Sequence, residues 1–126
     1  MRFLFLILFF GLSTHFIFGQ IAYAKKYTSL VGQSCKLRTD GGCEIYHYKT
    51  LVFNNKGKVE IISESKFSCS PIEIEKTYNE ENKPTIAKTT YQIRNNKMYI
   101  KNYQYSPLAI GEKELIYNDI IFKLEK

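Results

Sequence analysis

The chain has no tryptophan, two aspartates and, beyond its first 20 residues, one histidine, His47. Each shortage removes a class of function. Asp40 lies in a Gly-rich turn and Asp119 in a hairpin turn, where aspartate is a structural choice. That leaves little for acid–base pairs or a Ser-His-Asp triad. No Gly-x-Ser-x-Gly, His-Glu-x-x-His or P-loop pattern occurs. One histidine and three unevenly spaced cysteines match no zinc pattern. The acidic stretch Glu73, Glu75, Glu80, Glu81 lacks the alternating ligands of a calcium loop. No metal or cofactor is expected, and the chain is not expected to be an enzyme. No Asn-x-Ser/Thr sequon is present.

What the chain does have begins at its N-terminus. Met1-Arg2 is a short basic start, every residue from Phe3 to Phe10 is apolar, and Gly11, Ser13, Thr14 and His15 then dilute the run. This is the pattern of a secretory signal. Cleavage after Gly19 and cleavage after Ala24, in Ala22-Tyr23-Ala24, both fit. The unbroken apolar run is short of the roughly 20 residues that a bilayer span needs. The first cysteine is Cys35, too late for a lipid anchor. The expected organisation is a signal peptide over 1–19 and one domain over 28–126, secreted or periplasmic, with no membrane span after signal removal.

The segment before Gln20 takes six of the nine phenylalanines, leaving Phe53, Phe67 and Phe122, while all ten tyrosines lie beyond it. A core of Ile, Leu, Val and Tyr suits strands. The net charge of +6 comes mostly from lysines dispersed along the chain. Dispersed charge favours solubility and gives no nucleic-acid footprint.

Short β-rich runs separated by Asn, Gly, Asp and Pro predict an all-β fold, a single antiparallel up-and-down barrel or sandwich of about eight strands. The expected strands are 29–37, 43–54, 58–69, 72–78, 85–94, 97–105, 113–117 and 120–125. Three turns set the register of three hairpins. Asn95-Asn96 pairs Arg94 with Lys97, and so Ile93/Met98, Tyr91/Ile100 and Ala87/Gln104 on one face. The other face then holds Gln92/Tyr99, Thr90/Lys101 and Lys88/Tyr103. Asn118-Asp119 pairs Tyr117/Ile120, Leu115/Phe122 and Lys113/Leu124, with Glu114/Lys123 as opposite charges. Asn55-Lys56-Gly57 fits a three-residue loop with Gly57 in the left-handed position. Extending that ladder gives Phe53/Val59, Leu51/Ile61, Lys49/Ser63, His47/Ser65, Ile45/Phe67 and Cys43/Cys69.

The last pair predicts a Cys43–Cys69 disulfide with Cys35 as the free thiol. Cys35–Cys43 across the turn at residues 39–42 is the rival pairing. Export supports one bond, and the odd count leaves one thiol over.

Two surfaces stand out. On the third hairpin, His47, Lys49, Ser63 and Ser65 interrupt an apolar face. Inside a small barrel they would form a polar patch in an apolar cavity, with Tyr91 nearby. On the second, Lys88, Arg94, Lys97 and Lys101 alternate with Tyr99 and Tyr103 on one sheet face. The leading expectation is an exported non-enzymatic binding protein for a small, partly apolar ligand. The alternative is a protein-interaction module, an inhibitor or assembly subunit, that uses the Lys/Tyr face. No nucleic-acid partner is expected.

Leu30-Val31-Gly32 opens the first strand. Leu51-Val52-Phe53 leads into Asn55-Lys56-Gly57-Lys58, and Tyr91-Gln92-Ile93 into Lys97-Met98-Tyr99-Ile100. In these segments, over roughly residues 28–125, the chain resembles the small lipocalin-like proteins of bacterial envelopes. Ser34 stands where that pattern has its tryptophan. The resemblance implies an up-and-down antiparallel barrel with a hydrophobic ligand, and it transfers no functional residue.

Overall fold

The computed structural model describes residues 20–39 and 41–126. Residues 1–19, where a signal peptide is expected, and Asp40 lie outside the described residues. The domain starts with three long strands, β1 (Lys26–Arg38), β2 (Gly41–Phe53) and β3 (Lys58–Ser70). A helix, α1 (Ile72–Glu81), follows, and then β4 (Thr85–Arg94). Four short strands complete the chain: β5 (Lys97–Ile100), β6 (Leu108–Ile110), β7 (Glu114–Tyr117) and β8 (Ile120–Leu124). Each strand pairs antiparallel with the next, and β8 returns to β1 at Tyr27↔Leu124 and Thr28↔Lys123. The result is a closed eight-stranded barrel, which removes the sandwich alternative.

The turns act as their residue types require. Asn95 and Asn96 both take positive φ, 52° and 60°. A tight hairpin needs that conformation, which Asn tolerates. Gly57 sits at φ 80°, and the Asn54 side chain accepts from the N–H groups of Lys56 and Lys58, both at 2.9 Å. All three hairpin registers form, including Cys43↔Cys69. The disulfide is Cys43–Cys69, with Cα atoms 4.1 Å apart, and Cys35 is free and exposed.

Two expected strands differ. Residues 72–78 are helical. Ile72-Glu73-Ile74-Glu75 alternates like a strand, but Pro71 stands at the N-cap and Glu73 and Glu75 occupy the first turn. Carboxylates there interact favourably with the helix dipole. No β-branched run follows, and the Glu- and Lys-containing segment propagates the helix. The run over 97–105 ends at Ile100, because Asn102 turns the chain with φ 57°. The pairs Ala87/Gln104 and Lys88/Tyr103 therefore do not form. A further strand, β6, follows that loop.

Tyr27, Leu51, Phe53, Val59, Ile61, Tyr91, Met98, Ile100, Leu108, Ile110, Leu115 and Phe122 form one buried cluster inside the barrel. Phe53 packs edge-on against Tyr27 at 5.8 Å and Tyr91 at 5.0 Å. An eight-stranded barrel is just wide enough for side chains to fill, and here they fill it. Burying one such side chain contributes about 1.5–3 kcal/mol.

The strands are unequal. β1, β2 and β3 have 13 residues each, whereas β5 to β8 have three to five. β4 pairs with β3 only along residues 58–63, and β8 with β1 only at Tyr27 and Thr28. Beyond those points β1–β2–β3 continue as a three-stranded ribbon projecting from one end of the barrel. No helix among the described residues is long and apolar enough to cross a membrane.

Candidate functional site

The ribbon carries the inner face of the barrel upward. On β2 that face runs Leu51, Lys49, His47, Ile45, Cys43, and on β3 it runs Ile61, Ser63, Ser65, Phe67, Cys69. Where the opposite wall stops, apolar residues give way to polar ones. Lys49 Nζ donates to Ser63 Oγ at 2.6 Å. Ser29, buried at 5 % exposure, completes that row opposite Lys49.

One row further out, His47 stands between two hydroxyls. Its Nδ1 is 2.9 Å from Ser65 Oγ and its Nε2 is 3.0 Å from Ser34 Oγ. A neutral imidazole has one N–H and one bare nitrogen. It therefore donates to one serine and accepts from the other. Both rows are half-buried on β2 and β3. On β4 the inner-face residues Thr85 and Ala87 are exposed, so the wall here is open.

The sequence places His47, Lys49, Ser63 and Ser65 together, and the structure does the same. It separates Tyr91 from them. Tyr91 packs on Phe53, six residues down β2 from His47, a distance of about 20 Å along a strand. Its hydroxyl donates to the Asn54 carbonyl at 2.5 Å at the far end of the barrel. Burial pushes that phenol up to about 12. Tyr91 is a core residue because its alternation on β4 points it inward below the polar rows.

Ser34 joins the site through a register shift between Leu30 and Gly32. Below the shift Leu30 opposes Tyr48, and above it Gly32 opposes His47. The extra residue moves Ser34 onto the inner face. The signal available in sequence was Gly32, since an isolated glycine in a strand pattern marks a bulge.

Helix α1 borders the ribbon. Tyr78 stacks on Phe67 at 5.2 Å, and Lys36 Nζ lies 4.8 Å from the Tyr78 ring centre. The Asn79 side chain accepts from Phe67 N–H and donates to Phe67 O, and Glu75 accepts from Cys69 N–H. The helix thus satisfies the edge of β3 that β4 leaves.

The loop over 101–107 brings tyrosines to the barrel interior. Tyr103 packs edge-on against Tyr105, which contacts Tyr117 and Phe122. Tyr103 belongs to this cluster and not to the exposed Lys/Tyr face, because β5 stops before it. Its hydroxyl is buried without a hydrogen-bond partner among the described residues, and burial raises its pKa. Lys88, Arg94, Lys97 and Lys101 are exposed, and Arg94 lies 4.5 Å over the half-buried Tyr99 ring. Lys88 reaches Glu60 at 3.9 Å.

Among the described residues no three His, Cys, Asp or Glu side chains gather as a metal site. No protein-family model, curated protein or solved structure matches this chain.

Proposed function

We propose that the chain is an exported, non-enzymatic binding protein of lipocalin-like build. Its ligand is small and partly apolar, and it rests on the inner wall of the ribbon above the packed core. The observation that carries this reading is the pair of polar rows, Lys49–Ser63 and Ser34–His47–Ser65, on the direct continuation of an apolar barrel wall. A few oriented polar groups beside apolar surface are how small-molecule sites are usually built. The Lys49 ammonium suits an anionic or carbonyl-bearing head group. Below it the barrel interior is taken by the buried cluster around Phe53, Met98 and Phe122.

The Cys43–Cys69 bond supports an oxidising compartment. The imidazole is held by two serines, with no carboxylate among its hydrogen-bond partners to orient it for serine activation. A fluorophosphonate probe is therefore expected to leave the protein unlabelled. An adduct on Ser34 or Ser65 would replace the binding reading with a hydrolytic one.

Anilinonaphthalene sulfonate, an apolar ring system with an anionic head, tests the site directly. His47→Ala with Lys49→Ala should weaken its binding about tenfold or more, while Lys88→Ala should leave it unchanged. Equal affinity in all three proteins would end the proposal.

The exposed Arg94–Tyr99 stack with Lys97 and Lys101 supports a second reading, a protein-interaction face. Partner binding there would weaken with salt, because surface charges are screened.

A further inference from the structure

The ribbon has two long edges, and they are treated differently. The β3 edge is closed by Asn79 and Glu75 of α1. The β1 edge has no strand beside it beyond Thr28 among the described residues. Its unpaired groups can be assigned. Antiparallel strands alternate residues bonded to one neighbour and to the other. Phe67 and Cys69 bond outward to α1, so β2 uses its alternate residues to bond β3, and Ile45 and Cys43 bond β1. Ser34 and Lys36 are their partners. That leaves the N–H and C=O groups of Gln33, Cys35 and Leu37 pointing away from the ribbon. A strand edge in this state is a template for another strand.

We propose that residues 32–38 of β1 pair antiparallel with the same residues of a second copy, across a two-fold axis at Cys35. Such an axis can pass through one of the three outward-bonding residues or through Ser34 or Lys36 between them. An axis at Lys36 sets that ammonium against its own copy, and one at Ser34 runs Leu37 and Arg38 into the irregularity between Leu30 and Gly32. An axis at Leu37 sets Lys36 opposite Arg38, and like charges directly opposed are destabilising. An axis at Gln33 drives the pairing into the irregularity between Leu30 and Gly32. The axis at Cys35 opposes Lys36 to Ser34, Leu37 to Gln33 and Arg38 to Gly32. No charges of the same sign meet there, and Leu37, 90 % exposed in one copy, gains a neighbour. The interface is isologous, as closed two-fold dimers require.

Cys35 serves as the reporter. Hydrogen-bonded cross-strand pairs have Cα atoms about 5.5 Å apart, within disulfide range. Oxidised glutathione supplies the oxidant. One Cys35 thiolate attacks it, forming a mixed disulfide and releasing one glutathione. The second Cys35 thiolate then displaces the other glutathione, so two thiols are oxidised and one glutathione disulfide is reduced to two thiols.

The experiment uses the exported chain with Cys43–Cys69 intact, in sedimentation equilibrium and on a non-reducing gel after oxidised glutathione. The wild type should show a monomer–dimer equilibrium and a covalent dimer. Cys35→Ser should keep the equilibrium and lose the covalent band. Gln33→Pro and Leu37→Pro remove outward N–H groups without touching a bond inside the ribbon. Each should raise the dimer dissociation constant about tenfold or more and leave mainly glutathionylated monomer. A wild type that stays monomeric, a glutathione adduct as its only product, or a dimer indifferent to both prolines would overturn the proposal.

Discussion

The barrel and the ribbon are built from the same three strands and hold together in different ways. Below the Ser29–Lys49–Ser63 row, β1 to β3 are closed off by five further strands, and the side chains of the buried cluster are all apolar or tyrosyl. Above it they have no opposite wall. From that row outward, inward positions hold Lys49, Ser63, His47, Ser65 and the disulfide, with Ile45 and Phe67 between them. A sheet that loses its opposing layer loses the main source of its stability, the removal of apolar area from water. The ribbon replaces it with one covalent bond, a stacked Phe67–Tyr78 pair and side-chain bonds from α1. That exchange leaves a wall with oriented polar groups facing outward from the core, the arrangement that binding needs.

The contrast can be broken most strongly from below. Phe122→Ala removes a fully buried ring and should cost about 3–5 kcal/mol in a denaturant titration. Removing the ribbon's staple comes next. With its cysteines 26 positions apart in sequence, replacing Cys43–Cys69 by two alanines should cost about 3 kcal/mol. Hydrogen exchange should then rise in residues 41–45 and 66–82 and stay slow in β7 and β8. Uniform acceleration would mean that barrel and ribbon unfold as one unit.

Alkaline pH probes the buried phenols of the barrel. Tyr91 titrates near 12 in the fold, against about 10 for a free phenol. Between those values the unfolded chain has lost the proton and the folded chain still holds it. Stability should therefore be full below pH 10 and fall as pH rises toward 12. Tyr91→Phe should make that slope shallower and leave the part that the buried Tyr103 phenol contributes. At the small end, Lys88→Ala touches only a long, exposed ion pair with Glu60 and should change stability by less than about 0.5 kcal/mol.

Local rules reached far into this fold. Three turns fixed three registers, and through one of them the Asn55-Lys56-Gly57 loop placed Cys43 against Cys69, some twelve residues away. The same ladder gathered His47, Lys49, Ser63 and Ser65. What escaped depends on contacts that no turn sets. The bulge beside Gly32 brings in Ser34. The Ile72-Glu73-Ile74-Glu75 alternation suits a strand, yet its neighbours and the open β3 edge favour a helix. The three-residue β6 is too short to have a period, and Asn102 moves Tyr103 from an outer face to the interior.

Native mass spectrometry of the protein purified from its own host, with thiols alkylated before any reduction, tests the binding-wall proposal most directly. The expected spectrum shows one blocked thiol and an added small-molecule mass that leaves on denaturation and is missing from the His47→Ala, Lys49→Ala protein. A bare chain mass in both proteins, or an added mass that the double variant retains, would contradict it.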